Sequence, residues 1–284
     1  MEVVYKLLEG SWQEGIVVKD KKTGVYASPK AVRTIDHNGK YFQCAGPSLL
    51  GPSPPRTPLL LQAGASSSGK SFAAKHSEAM FLPGLIPEKT RDIVQDTRAQ
   101  LLEQGTEPDS VRFITGIFMI VDETDEKAQA KYGDLLQYAD SEGTAALFGG
   151  WTGTDLSTST DDEDFTFTKL GGIQSMIKAW TATVPGTAGF KWTKRRVLQE
   201  LANSGAHAKA VGSPKRVADI LQHWIDIADS DGFNLSYAMT PGTFEDLVKW
   251  LWPELKARGV LQNDYPVTGG SMRETFFAGG RGHM

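Results

Sequence analysis

An α/β fold built from parallel strand–helix units is predicted by three features of this sequence. Short apolar runs at residues 59–63, Arg112–Val121, residues 208–211 and Gly232–Ser236 alternate with segments of helical periodicity. That alternation is how parallel sheets are assembled. The first is wholly apolar apart from Gln62, and Arg112–Val121 reads as a second buried strand, as expected for strands covered on both faces. The first leads through small residues straight into a helix, at residues 59–71, and such a junction is suited to binding an anion.

Bulk properties narrow the function classes. The chain has 284 residues, 40% of them hydrophobic, and a formal net charge of −4. That length accommodates one large α/β domain, and the charge gives no general affinity for nucleic acid. Cys44 is the only cysteine, which excludes an intrachain disulfide and a cysteine-cluster metal site and suits a reducing compartment. No apolar stretch is long enough to span a bilayer, and the first residues do not read as a signal peptide. A cytoplasmic protein that binds neither membrane nor nucleic acid is expected.

Residues 1–9 read as the middle of an amphipathic helix, with Val3, Val4, Leu7 and Leu8 on one stripe and no capping residue before it. Turn signals over residues 11–46 predict loops and a small hairpin, and the prolines of 47–58 make an extended connector. After the first strand a helix is predicted over 66–81, and another over 87–104 that stops at Gly105. The second strand, Arg112–Val121, is followed by a helix at 126–138. The pattern then breaks over 141–194, where residues 152–164 are polar and acidic, as in a surface insertion or lid. A helix at 195–204, the strand at 208–211 and a helix opened by Ser213 and Pro214 through Ala228 restore the alternation. The strand Gly232–Ser236 and a helix at 243–257 follow, and the tail at 260–284 is expected to be loosely ordered.

The loop after the first strand carries the chemistry. Small residues let the backbone approach an anion, helix-start N–H groups point at it, and the hydroxyls of Ser66 and Ser67 add donors. Gly64-Ala65-Ser66-Ser67-Ser68-Gly69-Lys70-Ser71 also satisfies G-x-x-x-x-G-K-[ST], the phosphate loop of nucleotide triphosphatases. The apolar run ending in Asp122 and Glu123 resembles the magnesium-positioning strand of such enzymes. A merely capped helix is the third reading.

Segment 58–81, PLLLQAGASSSGKSFAAKHSEAMF, resembles the strand, loop and helix that hold the FMN phosphate in bacterial luciferase-like FMN-dependent monooxygenases. The nitrilotriacetate, dibenzothiophene-sulfone and long-chain alkane monooxygenase group is the nearest match. Further similarities run in the same order. They include Gly10-Ser11-Trp12 with Asp20 and Gly24-Val25-Tyr26, then Ile35-Asp36-His37-Asn38-Gly39 with Gly46-Pro47. Gly212-Ser213-Pro214 with Asp231-Gly232-Phe233-Asn234-Leu235, and Pro253-Glu254-Leu255 with Met272-Arg273-Glu274, complete the series.

The resemblance implies a TIM-type (β/α)8 barrel with its site at the C-terminal ends of the strands. It implies one domain over 1–284, with an insertion at 141–194 and a tail at 260–284. Gln62, Ala63, Gly64, Ala65, Ser66 and Ser67 would hold the FMN, and Lys70 and Asp122-Glu123 would lose their phosphate-loop roles. Reduced FMN from a separate flavin reductase, together with O2, would oxygenate a small organic substrate. Trp151, Phe165, Phe167 and Trp180 are pocket liners or packing residues. The four barrel strands legible here, against eight in the fold, suggest the C-terminal part of a barrel lacking its N-terminal strands. The positions that would contact the flavin ring have no match, so no catalytic residue is assigned. A homo-oligomer or a complementing N-terminal half would then close the barrel, the alternative being a non-catalytic FMN-phosphate-binding fragment. The five histidines show no metal-ligand spacing, the run Asp161–Asp164 reads as a solvated loop, and no metal is expected.

Overall fold

The computed structural model describes residues 1–153, 155–166, 171–183 and 189–277. They fall into two compact units, one formed by residues 1–60 with 264–284 and the other by residues 61–263.

In the first unit α1 (Glu2–Tyr5) continues into a π-helical turn, Lys6–Gly10. Two antiparallel ladders follow, β1 (Val17–Asp20) with β2 (Val25–Ala27) and β3 (His37–Asn38) with β4 (Gln43–Cys44). Glu9 accepts hydrogen bonds from the Thr57 N–H and hydroxyl.

The second unit holds a five-stranded parallel sheet of β5 (Leu61–Ala63), β6 (Ala79–Leu82), β7 (Arg112–Val121), β8 (Ala208–Gly212) and β9 (Gly232–Ser236). β7 is the hub. Residues 114–118 pair with β9, while 112–115 pair with β6 and 117–121 with β8. The overlapping registers put β9 on one edge of β7, and β6 and β8 in succession on the other. The described strands make an open sheet. One strand more is present than the apolar runs indicated, because residues 66–81 are not one helix. The helix α2 spans Ser67–His76, Ser77 turns to extended backbone, and Ala79–Leu82 is β6. Ala79-Met80-Phe81-Leu82 carries no periodicity that separates a buried strand from a buried helical turn.

Alternating side chains of β7 build two cores. Phe113 packs with Ala73 and Ala74 of α2 and with Val94 and Leu101 of α3 (Pro87–Glu103). On the same face Ile117, Met119 and Val121 meet Val217, Leu221 and Trp224 of α8 (Pro214–Ala228). Phe118 and Ile120 face the opposite way, onto Ala128, Tyr132 and Leu136 of α4 (Asp125–Leu136). These helices present their apolar residues at spacings of three, four and seven, the stripe that a sheet face requires.

Segment 141–194 differs from a polar surface loop. α5 (Ser141–Thr152) and α6 (Gly171–Thr183) join α7 (Lys194–Ser204) around a core of their own, with Phe148, Leu156, Phe165, Ile173, Ile177, Trp180 and Trp192 buried. The polar composition of residues 152–164 conceals Leu156 within it and the apolar residues on either side, which together do the packing.

After β9 the chain forms α9 (Gly242–Asp246), a π-helical turn (Leu247–Leu251) and α10 (Trp252–Ala257). Pro253 has no N–H to donate, and the wider turn before it accommodates that loss. The tail, expected to be loose, contains α11 (Met272–Phe276). A capping box starts it, with Ser271 and Glu274 each accepting from the other's backbone N–H, and this holds the turn. Arg273 is buried in the same unit and donates to the carbonyls of Thr57 and Pro58, both at 3.0 Å.

Candidate functional site

The loop between β5 and α2 is built by three local constraints. Gly64 has φ = +129°, a backbone region that side-chain-bearing residues rarely adopt. Ser66 is the N-cap of α2, extended itself, and its hydroxyl oxygen accepts the Gly69 N–H at 3.1 Å. Gly69 packs so closely that a Cβ there would lie 2.6 Å from the Gly64 carbonyl oxygen. The two glycines and the serine cap therefore fold the loop back on the first turn of α2.

What this leaves open is a set of donors and one acceptor. The Ser66 hydroxyl keeps its own proton while accepting from Gly69. Ser67 is exposed and starts the helix, where N–H groups lack helical partners and carry partial positive charge. Gln62 donates through Nε2 to the carbonyls of Ala63 (2.9 Å) and Gly64 (3.4 Å). Its Oε1 is buried with no hydrogen-bond partner among the described residues. Gln62, Ala63, Gly64, Ala65, Ser66 and Ser67 thus form one continuous surface at the C-terminal end of a parallel strand.

The residues that would make this a nucleotide triphosphatase point elsewhere. Lys70 Nζ is 2.7 Å from Asp96, and the Ser71 hydroxyl is 3.0 Å from Gln100, both partners being on α3. They clamp α2 to α3. Asp122 at the end of β7 is 2.8 Å from Lys131 of α4, which also holds Asp246 of α9 at 2.8 Å. Burial alone would raise the Asp122 carboxyl, but the Lys131 ammonium and the Glu123 N–H more than reverse this and lower it. The same two carboxylates raise Lys131 against the effect of burial.

The aromatic residues of the insertion separate. Phe165 and Trp180 are buried in its core, Trp180 against Trp192 at 5.6 Å between ring centroids, so both are packing residues. Trp151 is exposed, and Phe167 lies outside the described residues. Among the described residues no group of three or more His, Cys, Asp or Glu is placed to hold a metal ion, and no helix is long and apolar enough to cross a membrane.

One polar cluster was missed at the sequence level. Lys209 of β8 is fully buried, ion-paired to Glu200 of α7 and 2.7 Å from the Tyr132 hydroxyl of α4. Tyr132 also donates to Glu200, and Arg196 pairs with the same carboxylate. Lys209 sits 4.9 Å from the centroid of the Trp180 ring. Burial pushes the Lys209 ammonium down to about 8, against the opposing pull of Glu200. The visible signal was a lysine inside the apolar strand Ala208–Gly212.

The family described as luciferase-like monooxygenase matches residues 4–229. The chain belongs to that family. A dimethyl-sulfide monooxygenase from Hyphomicrobium sulfonivorans is 41% identical over 273 residues, covering 96% of this chain and 56% of that protein. The crystal structure of DmoA from Hyphomicrobium sulfonivorans superposes with a TM-score of 0.86 at 39% identity, over 100% of this chain and 59% of that one. A structure of the riboflavin lyase RcaE, with modified FMN and substrate riboflavin, gives 0.75 at 30% identity, over 100% of this chain and 61% of that one. Other members that this chain matches are named long-chain alkane monooxygenase (Geobacillus thermodenitrificans) and nitrilotriacetate monooxygenase component A (Aminobacter aminovorans).

The chain therefore spans between half and two thirds of the length of these relatives. The matches give the share of each relative that aligns and not which end, so the expectation of a C-terminal part specifically is not borne out. Within the luciferase-like monooxygenase family the α/β fold with a parallel sheet is the shared architecture.

Proposed function

We propose that this chain carries the FMN-phosphate site of a two-component flavin-dependent monooxygenase, with the phosphate at Gly64, Ala65, Ser66 and Ser67. The observation that carries the reading is the glycine-turned, serine-capped start of α2, which presents small residues and unpaired donors to an anion. Gln62 Oε1, buried and lacking a donor, would accept from a hydroxyl or N–H of the same cofactor. Reduced FMN, when bound, supplies the electrons with which O2 oxygenates a substrate. The protein's tasks are to hold the phosphate, to orient the ring through the elements beyond this loop and to exclude water. The name component A borne by one relative supports a separate flavin reductase as partner.

The sheet is proposed to form part of a TIM-type (β/α)8 barrel whose remaining strands complete the enzyme. The nucleotide triphosphatase reading is disfavoured by the engagement of Lys70 with Asp96 and of Asp122 with Lys131.

The test is a pair of substitutions read by flavin titration. Ser66→Asp keeps a good N-cap but sets a carboxylate beside the phosphate, so FMN affinity should fall at least tenfold while riboflavin binding is unchanged. Lys70→Ala should leave FMN affinity within about threefold. Loss of FMN binding in the lysine variant with retention in the serine variant would refute the assignment.

A further inference from the structure

A cavity of 1310 Å³ lies beside the junction of β6 and α3, with its far wall on the insertion. Its volume exceeds the roughly 300–1,000 Å³ common for small-molecule sites. Leu85, Ile86 and Ile93 form the near wall, and Ile177, Phe190 and Trp192 the far one. The far wall is braced from behind. The Trp192 ring packs on Trp180, its Nε1 donates to Thr181 at 3.1 Å, and Phe190 meets it edge-on at 5.6 Å.

A second cavity, of 680 Å³, adjoins the first and shares Leu85, Ile86, Lys89 and Lys178 with it. Two cations thus stand where the two cavities meet. Among the described residues Lys178 has no carboxylate within ion-pair distance, and Lys89 has only Asp92, 3.6 Å away and mostly exposed. The first cavity also presents Lys191 and Asp164, and the second Glu88, while Arg216 there is paired with Asp125 at 3.5 Å and Asp219 with Arg258 at 2.8 Å; three lysines thus face two carboxylates, Asp164 and Glu88. The first turn of α3, which lines both spaces, has Ile86 as its N-cap and no side-chain capping bond. Its partial positive charge adds to that of the lysines, partly offset by Glu88 in the same turn.

We propose that this groove binds an apolar-bodied organic anion, with the hydrocarbon along Leu85, Ile93, Phe190 and Trp192 and the anionic head at Lys89 and Lys178. Taking that molecule as the substrate rests on the monooxygenase reading; the binding itself does not. Charge complementarity selects the ligand class. An uncharged hydrocarbon would gain the walls but leave the two ammonium groups unused, and a compact dianion would forgo the walls.

The experiment is calorimetric titration of the purified chain, without flavin, with decanoate and with decanol, each below its aggregation limit. Decanoate should bind at least tenfold more tightly than decanol. The double variant Lys89→Met with Lys178→Met should weaken decanoate by tenfold or more, the equivalent of about 1.4 kcal/mol, and leave decanol unchanged. Phe190→Ala, at a partly exposed position, should weaken both ligands. Equal affinity for the two ligands, no decanoate binding by folded chain, or indifference of decanoate to the lysine changes would each overturn the proposal. Because no flavin is present, these results are independent of the Ser66 and Lys70 titrations. A positive result here with a failed flavin titration would mean that the anion site stands and the cofactor loop does not.

Discussion

Lys209 shows at the scale of one residue how this fold spends charge in its interior. An ammonium buried from water keeps its proton only with a well-placed partner, and Glu200, Tyr132 and the Trp180 face together supply the surroundings. Its lowered pKa says that burial outweighs those gains. The pair therefore costs more to break than it adds. Lys209→Met is expected to destabilise the protein by about 3 kcal/mol, the low end for a broken buried pair, since Arg196 and Tyr132 still hold Glu200. Combining it with Glu200→Leu should recover a large part of that loss. Chemical denaturation of the two single variants and the double variant gives the coupling; simple additivity would refute it. Gly116 is a second single-residue constraint, because a Cβ there would lie 2.6 Å from Nδ1 of His207, whose pKa burial lowers.

Among elements, the junction of β7, α4 and α9 is tied by one lysine between two aspartates. The sign of its pH dependence follows from the shifts. Asp122 is lower in the folded state than in the unfolded chain, so its contribution is complete above the unfolded carboxylate value and is lost as pH falls through the lowered folded one. Lys131 is raised, so its contribution is present below the ordinary lysine range and is lost only when pH climbs past its folded value. Between these limits the tie is constant. Lys131→Met should therefore lower stability at neutral pH and reduce the further loss on going to about pH 3. Thermal melts of both proteins at the two pH values measure this, and an unchanged acid-induced loss in the variant would rule it out. The insertion, with its own core of Phe165, Trp180 and Trp192, is an element of the same rank and not a strap of loop.

For the molecule as a whole, the open edge of the sheet and the share of family length covered make one expectation concrete. The chain alone should bind FMN weakly and turn over no substrate, even with a flavin reductase, NADH and O2 supplied. Oxygenation under those conditions, or a tight flavin titration, would overturn the proposed need for further strands. Much of this architecture was legible beforehand. The runs at Arg112–Val121 and Gly232–Ser236, the helix beginning at Pro214 and the small-residue loop at Gly64–Ser67 are local facts, fixed by apolar continuity, by proline and by glycine conformational freedom. Other features were decided only by contacts between distant segments. Ala79–Leu82 becomes a strand because β5 and β7 offer it ladders on both edges. Lys70 is drawn from the loop because Asp96 waits on the next helix, and Lys209 is buried because Glu200 and Tyr132 converge on it from two others. Sequence alone determined where the small-residue loop proposed to hold the phosphate is and why its backbone can turn; the tertiary structure decided which side chains remain there, because charge is allotted by neighbours that are remote along the chain.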